Sequence, residues 1–169
     1  MKIIDNVLSE QDFNVIKERL LYSPEFLWSW NPNKVQKGDG KETLVSTIYK
    51  KHKPLQESNF ITLHSLFAKH LDVIGWHRIK INCTWKTTEY RVDGYHNDYG
   101  GLSDERIAHM KTAIFYCTTT DAPTVFDVPH TSVACIENRL VIFEGSRRHS
   151  STTHTEGNQR RIVINFNYF

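Results

Sequence analysis

The chain has 169 residues, 39% of them hydrophobic, and carries 21 basic against 19 acidic residues. This length suits one domain with one core, and no stretch approaches the roughly 18 apolar residues that cross a bilayer. The interspersed charges neither demand nor exclude a nucleic-acid partner, but the sequence shows no concentrated basic stripe interleaved with stacking aromatics, which disfavours one. We therefore predict a single domain over residues 1–169 that is not embedded in a membrane.

The N-terminus and the cysteines bear on the cellular compartment. Residues 1–5 contain no apolar signal segment, so secretion is not indicated. Cys83, Cys117 and Cys135 are three in number and form no Cys-x-x-Cys pair, which argues against a disulfide framework and against a thiolate zinc site. Both features favour a reducing cytoplasm. The sequence does not indicate the oligomeric state.

Helical signals dominate the N-terminal part of the chain. Ser9 to Asp12 reads as a capping box, and apolar residues at helical spacing predict a helix over about residues 10–21. Residues 24–40 combine tryptophans with prolines, asparagines and glycines, which indicates irregular chain. A second helical period runs over residues 59–75. We predict that residues 1–75 are mainly a helical support.

Beyond Gly75 the period changes from helical to alternating. Ile79, Ile81 and Cys83 alternate with polar residues, which is the two-residue period of a half-buried strand. Further strands are predicted over residues 112–118, 124–126, 132–135, 139–143 and 161–169. Helices followed by strands indicate an α+β, mainly β fold, with the helices on one face of an antiparallel sandwich or barrel formed by residues 76–169.

His96-Asn97-Asp98 and the later His149 form a candidate metal site. In a strand, residues two apart project from the same face, so His96 and Asp98 reach one ion while Asn97 points away. His149 follows a glycine-containing turn and arrives from a distant strand. Two imidazoles and one carboxylate suit Fe(II) and leave positions open, whereas a structural zinc site has four ligands. The alternatives are a surface role for His149 and a His96–Asp98 hydrogen bond that fixes a tautomer.

Arg161, at the start of the last predicted strand, is a candidate anion ligand. On strand parity it shares a polar face with Val163, Asn165 and Asn167. A guanidinium binds a carboxylate through two parallel charge-assisted hydrogen bonds, which suits the far carboxylate of a metal-chelating oxoacid such as 2-oxoglutarate. The neighbouring Arg160 is expected to point outward as a solvated charge.

The ordered motifs of the C-terminal part resemble the Fe(II)/2-oxoglutarate-dependent dioxygenases, and within them the prolyl 4-hydroxylase-like group. The resemblance covers roughly residues 76–169 and implies a double-stranded β-helix (jelly-roll) core buttressed by N-terminal helices. It is carried by His96-Asn97-Asp98, residues 111–116 (KTAIFY), residues 124–126 (TVF), residues 138–143 (NRLVIF), His149 and residues 161–166 (RIVINF).

The resemblance also assigns roles to residues. It implies that three of them bind the metal: His96, Asp98 and His149. It implies that Arg161 binds 2-oxoglutarate, and that Tyr116 hydrogen-bonds the same carboxylate, with a core aromatic as the alternative. His154 competes as the third metal ligand, but it lacks the glycine turn that precedes His149. No catalytic side chain is expected beyond the metal ligands.

The reaction that the resemblance implies is hydroxylation of an unactivated C–H bond. Its cofactor and cosubstrates are Fe(II), 2-oxoglutarate and O₂, with ascorbate as a further candidate. Family analogy points to a prolyl or other peptidyl residue as substrate, and an amino acid or another small molecule is the alternative. Residues flanking the metal ligands are candidate substrate contacts: Tyr90, Arg91, Tyr95 and Tyr99. The competing hypothesis is a non-catalytic jelly-roll module that binds a metal or a ligand.

Overall fold

The structure is a computed structural model, and it describes residues 1–34 and 41–169. Its α-helices are α1 Glu10–Ile16, α2 Glu57–Leu71 and α3 Asp104–Ala108, with a π-helical segment, Lys17–Tyr22, after α1. Its strands are β1 Lys2–Ile4, β2 Ser29–Asn31, β3 Thr43–Lys50, β4 Lys53–Pro54, β5 Trp76–Trp85, β6 Lys111–Tyr116, β7 Thr124–Phe126, β8 Thr131–Val133, β9 Arg139–Glu144, β10 His149–Ser150 and β11 Arg160–Tyr168. None of these described helices has the length and apolar character of a membrane-spanning segment.

The strands form two antiparallel sheets. The major sheet has the order β1-β9-β6-β11-β5-β3-β2, with β4 paired to β3, and the minor sheet has the order β10-β7-β8. Buried side chains from both sheets pack together between them: Ile114, Tyr116, Phe126, Val133, Cys135, Val141, Phe143 and Val163. This is the two-sheet arrangement of the jelly roll, and the prediction of an α+β, mainly β fold is confirmed.

The outer face of the major sheet carries the main core. Strand alternation places Ile81 of β5 and Phe166 of β11 on this face, where both are buried. α2 covers them with Leu63 and Phe67, and the Phe67 ring lies 4.8 Å from that of Phe166. Because the apolar residues of β5 and β11 face the helices, the polar residues of the same strands face the space between the sheets.

The two predicted helices differ from the observed ones at their ends. The N-cap half of the predicted capping box is observed, since Ser9 Oγ accepts from the backbone N–H of Asp12 at 3.1 Å. The regular helix ends at Ile16, however, and the rest of the predicted span is π-helical. α2 ends at Leu71 because Asp72 adopts a left-handed conformation with φ of 50°.

The N-terminal part also supplies strands that were not predicted. β1 to β4 all belong to the major sheet, and the eight-residue β3 pairs with β5 along most of its length. The prediction of a mainly helical support over residues 1–75 did not include these strands. β1 pairs with β9 and β3 with β5, which are distant in sequence, whereas β2 and β4 pair with the nearby β3. Of the irregular stretch predicted over residues 24–40, residues 35–40 lie outside the described part.

Candidate metal centre

His96 and Asp98 lie between β5 and α3. His96 pairs with His149 in an isolated antiparallel bridge, in which each backbone N–H donates to the carbonyl of the other residue at 3.0 and 2.9 Å. A second bridge joins Val92 to Thr152. The segment thus forms isolated bridges where the sequence predicted a strand. The first bridge still fixes the two imidazoles side by side, with ring centroids 5.0 Å apart.

The turn that leads to His149 requires a glycine. Gly145 follows β9, and its backbone N–H donates to the carbonyl of Met110 at 2.8 Å. A Cβ at this position would lie 2.7 Å from Tyr99 Cε2 and 2.9 Å from Met110 Cβ. The backbone can therefore approach this closely only without a side chain, and the approach sets the path of the chain into β10, which His149 begins.

The three predicted metal ligands converge on one point. One donor atom from each of His96, Asp98 and His149 lies within 4.8 Å of the other two. Backbone carbonyls contact Nδ1 of both rings, Gly94 at 3.0 Å from His96 and Arg147 at 3.4 Å from His149. Because a carbonyl only accepts, each Nδ1 carries a proton, and in the neutral imidazole the lone pair therefore lies on Nε2. Two such nitrogens and a carboxylate are a donor set that fits Fe(II).

The Asp98 side chain is 7% exposed and is held at both carboxylate oxygens. Arg78 donates to Oδ1 at 2.9 Å, and Asn167 donates to Oδ2 at 3.1 Å. Burial opposes ionisation, but the charges of His149 and Arg78 and the hydrogen bond from Asn167 outweigh it and lower the pKa of Asp98 to about 2. Burial lowers the pKa of His149, so its imidazole is neutral at pH 7 and Arg78 is the cation that acts on Asp98 there. An ionised carboxylate and a neutral imidazole are the states that bind a metal ion.

Arg161 lies inside the molecule on β11 and is only 4% exposed. Its Nε donates to the carbonyl of Ala122 at 3.3 Å and one Nη to Thr124 Oγ1 at 3.4 Å. Both bonds are long, and no carboxylate of the described residues pairs with it. Buried arginines are normally paired, so this guanidinium is available to an anion. Arg160 is exposed and donates to the carbonyl of Leu21, on the opposite face as strand parity predicted.

Tyr116 is buried beside Arg161. Its hydroxyl donates to Thr124 Oγ1 at 2.8 Å, and its ring centroid lies 5.8 Å from the central guanidinium carbon of Arg161. Burial raises the pKa of Tyr116 to about 12. Thr124 lines the cavity beside the metal ligands, whereas Tyr116 does not. Its contact with 2-oxoglutarate therefore stays a prediction.

The four residues predicted to contact substrate lie outside the lining of the cavity: Tyr90, Arg91, Tyr95 and Tyr99. Tyr90 is half exposed, and Arg91 pairs with Glu89 on the surface at 2.5 Å. Tyr99 is buried, donates its hydroxyl to the carbonyl of Lys111 and packs against Ile107. Their role in binding substrate stays a prediction.

Three residues belong to the candidate site without having been predicted, and one predicted alternative lies outside it. Arg78, Asn167 and Thr124 were not predicted to belong to it. Strand parity placed Asn167 on the correct face, but its contact with Asp98 spans 69 positions and has no local signal. His154 is buried, with Nε2 donating to the carbonyl of Asn158 at 3.0 Å, and it is not part of the converging donor group among the described residues.

A cavity of about 600 Å³ opens beside the metal ligands. Its floor is the polar face of β5 and β11, and the turn between β3 and β4 also contributes. The lining residues are Lys34, Lys50, Lys51, His52, His77, Arg78, Lys80, Asn82, Thr84, His96, Asn97, Asp98, Gly100, Ile114, Thr124, His149, Ser151, Arg161, Val163 and Asn165. The space is large enough for a small organic ligand next to the candidate metal.

The structure of this chain, rather than its sequence, is similar to known proteins. No family model matches the sequence, and no curated protein matches it significantly. The structure matches an oxidoreductase of the 2OG-Fe(II) oxygenase family from Burkholderia pseudomallei with a TM-score of 0.73, at 12% identity over 98% of this chain and 84% of that one. The chain has the fold of the 2OG-Fe(II) oxygenases. The resemblance seen in the sequence is thereby confirmed at the level of fold.

Two further solved structures show the range of proteins with this fold. A prolyl hydroxylase from Trichoplax adhaerens, in complex with a hypoxia inducible factor peptide, matches with a TM-score of 0.65 at 15% identity, over 99% of this chain and 82% of that one. HygX from Streptomyces hygroscopicus, with nickel and 2-oxoglutarate bound, matches with a TM-score of 0.65 at 11% identity, over 98% and 81%. Proteins of this fold therefore include one bound to a peptide and one bound to a metal and 2-oxoglutarate.

Proposed function

We propose that the protein is an Fe(II)- and 2-oxoglutarate-dependent oxygenase that hydroxylates an unactivated C–H bond. His96, Asp98 and His149 hold the metal, and Arg161 binds the far carboxylate of 2-oxoglutarate. The bound metal supplies the activation of O₂ in the overall reaction R–H + 2-oxoglutarate + O₂ → R–OH + succinate + CO₂. The protein contributes binding, orientation and electrostatics. Ascorbate stays a candidate as an additional reductant.

One observation carries this proposal: three metal-type donors, and an arginine without a carboxylate partner among the described residues, line the same cavity. The donors come from two segments about 50 residues apart, and backbone carbonyls orient both imidazoles. Arg161 reaches the cavity from a third segment, at the start of β11. A non-catalytic jelly-roll module has no need for a buried anion-binding cation next to a three-ligand, open metal site.

The test is anaerobic titration of the protein with Fe(II) and 2-oxoglutarate, followed by visible absorption. A weak charge-transfer band is expected for the chelate, and His149→Ala should abolish it. His154→Ala is the matched control, because this histidine is also buried but lies outside the donor group. Absence of the band in the natural protein, or its loss in His154→Ala alone, would contradict the proposed site.

Turnover is tested separately from binding. Fe(II)-loaded protein in air should convert 2-oxoglutarate to succinate above the background rate, even without the acceptor substrate. A protein that forms the chelate and yields no succinate with any acceptor would be the non-catalytic module. For the acceptor, peptides that contain proline and free amino acids are the first candidates on family analogy, and the gain of one oxygen is detected by mass spectrometry.

A further inference from the structure

The cavity beside the metal ligands is strongly basic. The whole chain has 21 basic and 19 acidic residues, yet the described cavity lining contains six lysine and arginine side chains and a single carboxylate, Asp98. The six cations come from four segments: Lys34, Lys50 with Lys51, Arg78 with Lys80, and Arg161. Such a concentration of one sign inside a concave site attracts ligands of the opposite sign.

Three of these cations already have a partner or a proposed one. Lys34 pairs with Asp93 at 2.5 Å, and Arg78 pairs with Asp98 at 2.9 Å. Arg161 is assigned to 2-oxoglutarate by the proposed function. No ion-pair partner is found among the described residues for the other three cations, Lys50, Lys51 and Lys80. The cavity therefore holds more positive charge than the metal ligands and the cosubstrate use.

Lys80 carries most of the argument, because it lies within the major sheet and is only partly exposed. It lies on β5 opposite Asn165 of β11, and its side chain faces the cavity rather than α2. Burial, together with the charge of Arg78, lowers the pKa of Lys80, while the charge of Asp98 acts in the opposite direction. Lys80 forms no ion pair among the described residues, and Asp98, the one carboxylate of the described lining, is already paired with Arg78. A partly buried ammonium group without an ion-pair partner is the arrangement of a site that receives its anion from outside.

Two uncharged polar atoms point to the same ligand-binding surface. Asn165 Oδ1 and Thr84 Oγ1 are buried without a hydrogen-bond partner, and both residues line the cavity. Buried polar atoms are nearly always hydrogen-bonded, so these two are available to a bound molecule. Lys80 and Asn165 are neighbours across the β5–β11 pairing, while Arg161 lies opposite Thr84, four positions along the strand. Four strand residues span about 13 Å, so the two cationic positions are separate sites.

The turn at the entrance supports a role for its cations. Lys51 and His52 form the two-residue turn between β3 and β4, with φ of 54° and 62°. A turn with two positive φ values is normally built from asparagine and glycine, which adopt this conformation readily. The chain instead places a lysine and a histidine in it, beside Lys50, and all three line the cavity. Lys51 and His52 thus occupy positions at which the backbone favours asparagine and glycine, and their side chains line the cavity.

We propose that the acceptor substrate is a small molecule with a phosphate or carboxylate group, which docks on Lys80 and on the Lys50–His52 turn. This inference rests on the proposed function, since it concerns the substrate of the same site. The described lining contains no phenylalanine, tyrosine or tryptophan on which a nucleic acid base could stack. Ile114 and Val163 are its only described side chains from the large aliphatic class, so an uncharged prolyl ring finds little apolar surface there.

The first test measures anion binding directly. Sulfate is titrated by calorimetry, at low ionic strength, into the anaerobic protein saturated with Fe(II) and 2-oxoglutarate, so that Arg161 is already occupied. Lys80→Met should raise the dissociation constant of sulfate by about tenfold to a hundredfold, as expected for loss of a charge-assisted hydrogen bond. The double variant Lys51→Asn/His52→Gly should raise it by about threefold to tenfold. Lys69→Met, on the solvent side of α2, should leave it unchanged.

Stability separates a binding role from a structural one. Lys80→Met removes a partly buried charge that has no ion-pair partner among the described residues, and Lys51→Asn/His52→Gly installs the residues that the turn favours. Both variants should therefore unfold at the same temperature as the natural protein or higher, while they bind sulfate more weakly. A dissociation constant of sulfate that Lys80→Met leaves unchanged would overturn the proposal. So would an equal weakening of 2-oxoglutarate binding in that variant, because Lys80 would then belong to the cosubstrate site.

The second test identifies the anion. Pairs of molecules that differ by one anionic group are incubated with the loaded protein: hexanoate and hexanamide, glucose 6-phosphate and glucose, AMP and adenosine. Hydroxylation or faster succinate formation restricted to the acidic members supports the proposal, and the pair that responds distinguishes carboxylate from phosphate. Preference for the neutral members, for an uncharged prolyl peptide or for an oligonucleotide would refute it. If the charge-transfer band is absent but sulfate binding depends on Lys80, the oxygenase proposal fails and the anion site stands.

Discussion

Replacement of Arg161 by alanine is the sharpest single test of the cosubstrate site. The guanidinium is 4% exposed and makes two long hydrogen bonds to neutral oxygens, at 3.3 and 3.4 Å. Little is therefore lost within the protein when the side chain is removed. A hydrogen bond to a charged group contributes about 1.5 to 3 kcal/mol, so Arg161→Ala should weaken 2-oxoglutarate binding by about 10- to 150-fold.

The adjacent residue provides the control. Arg160 has the same side chain one position earlier, but it is exposed and donates to the carbonyl of Leu21 on the outer face. Arg160→Ala should leave the dissociation constant of 2-oxoglutarate within about twofold of the natural value, since surface substitutions usually change free energies by less than about 0.5 kcal/mol.

The assay is calorimetric titration of 2-oxoglutarate into metal-loaded protein under anaerobic conditions. A thermal unfolding series gives an independent readout, because a ligand at 100 times its dissociation constant stabilises the folded state by about 2.7 kcal/mol. That stabilisation should require far more 2-oxoglutarate in Arg161→Ala than in the natural protein. Unchanged affinity in Arg161→Ala, or a comparable loss in Arg160→Ala, would refute the assignment.

Two further predictions concern the stability of the framework. Asp93 is ion-paired with Lys34 and Lys41. Burial alone would raise the pKa of Asp93, but its ion pairs and hydrogen bonds, chiefly those with Lys34, outweigh burial and lower the pKa below 3.8. The ionised Asp93 side chain therefore contributes its full stabilisation above pH 3.8, and this stabilisation is lost as the pH falls through the lower pKa of the folded state. In urea unfolding at pH 6, Asp93→Asn should be less stable than the natural protein by about 3 kcal/mol. This difference in unfolding free energy should shrink in acid, and a difference independent of pH would contradict the prediction. Gly145→Ala should cost about 1 to 3 kcal/mol because its Cβ overlaps Tyr99 and Met110, whereas Gly100→Ala, with open space around it, should be nearly neutral by the same measurement.

Features that depend on neighbours in sequence could be predicted well. The capping box at Ser9, the alternation in β5 and the parity of β11 all describe which way a side chain points from its own backbone. The same reasoning placed Arg161 inside and Arg160 outside. The helix ends were less accurate, because the π-helical segment and the left-handed Asp72 depend on packing rather than on local preference.

Features that depend on pairing across the chain could not be predicted. Residues 43–50 (TLVSTIYK) are rich in strand-forming residue types, but the local sequence does not show that β3 pairs with β5. Asp98 receives its hydrogen bonds from Arg78 and Asn167, at separations of 20 and 69 positions. The aromatic residues near the ligands, such as Tyr99, looked like substrate contacts in sequence, but packing buries Tyr99 in a small core.

The sequence by itself determined the residue types of the candidate metal centre and the faces of β5 and β11, because both follow from chemistry and from local backbone geometry. Only the tertiary structure decided how the charges are distributed. Basic residues are interspersed with acidic ones along the chain, and the net charge is just +2. The pairing of β3 with β5 then brings Lys50 and Lys51 to the same cavity as Arg78 and Lys80. This pairing depends on contacts between distant segments, and it gives a nearly neutral chain a cationic site.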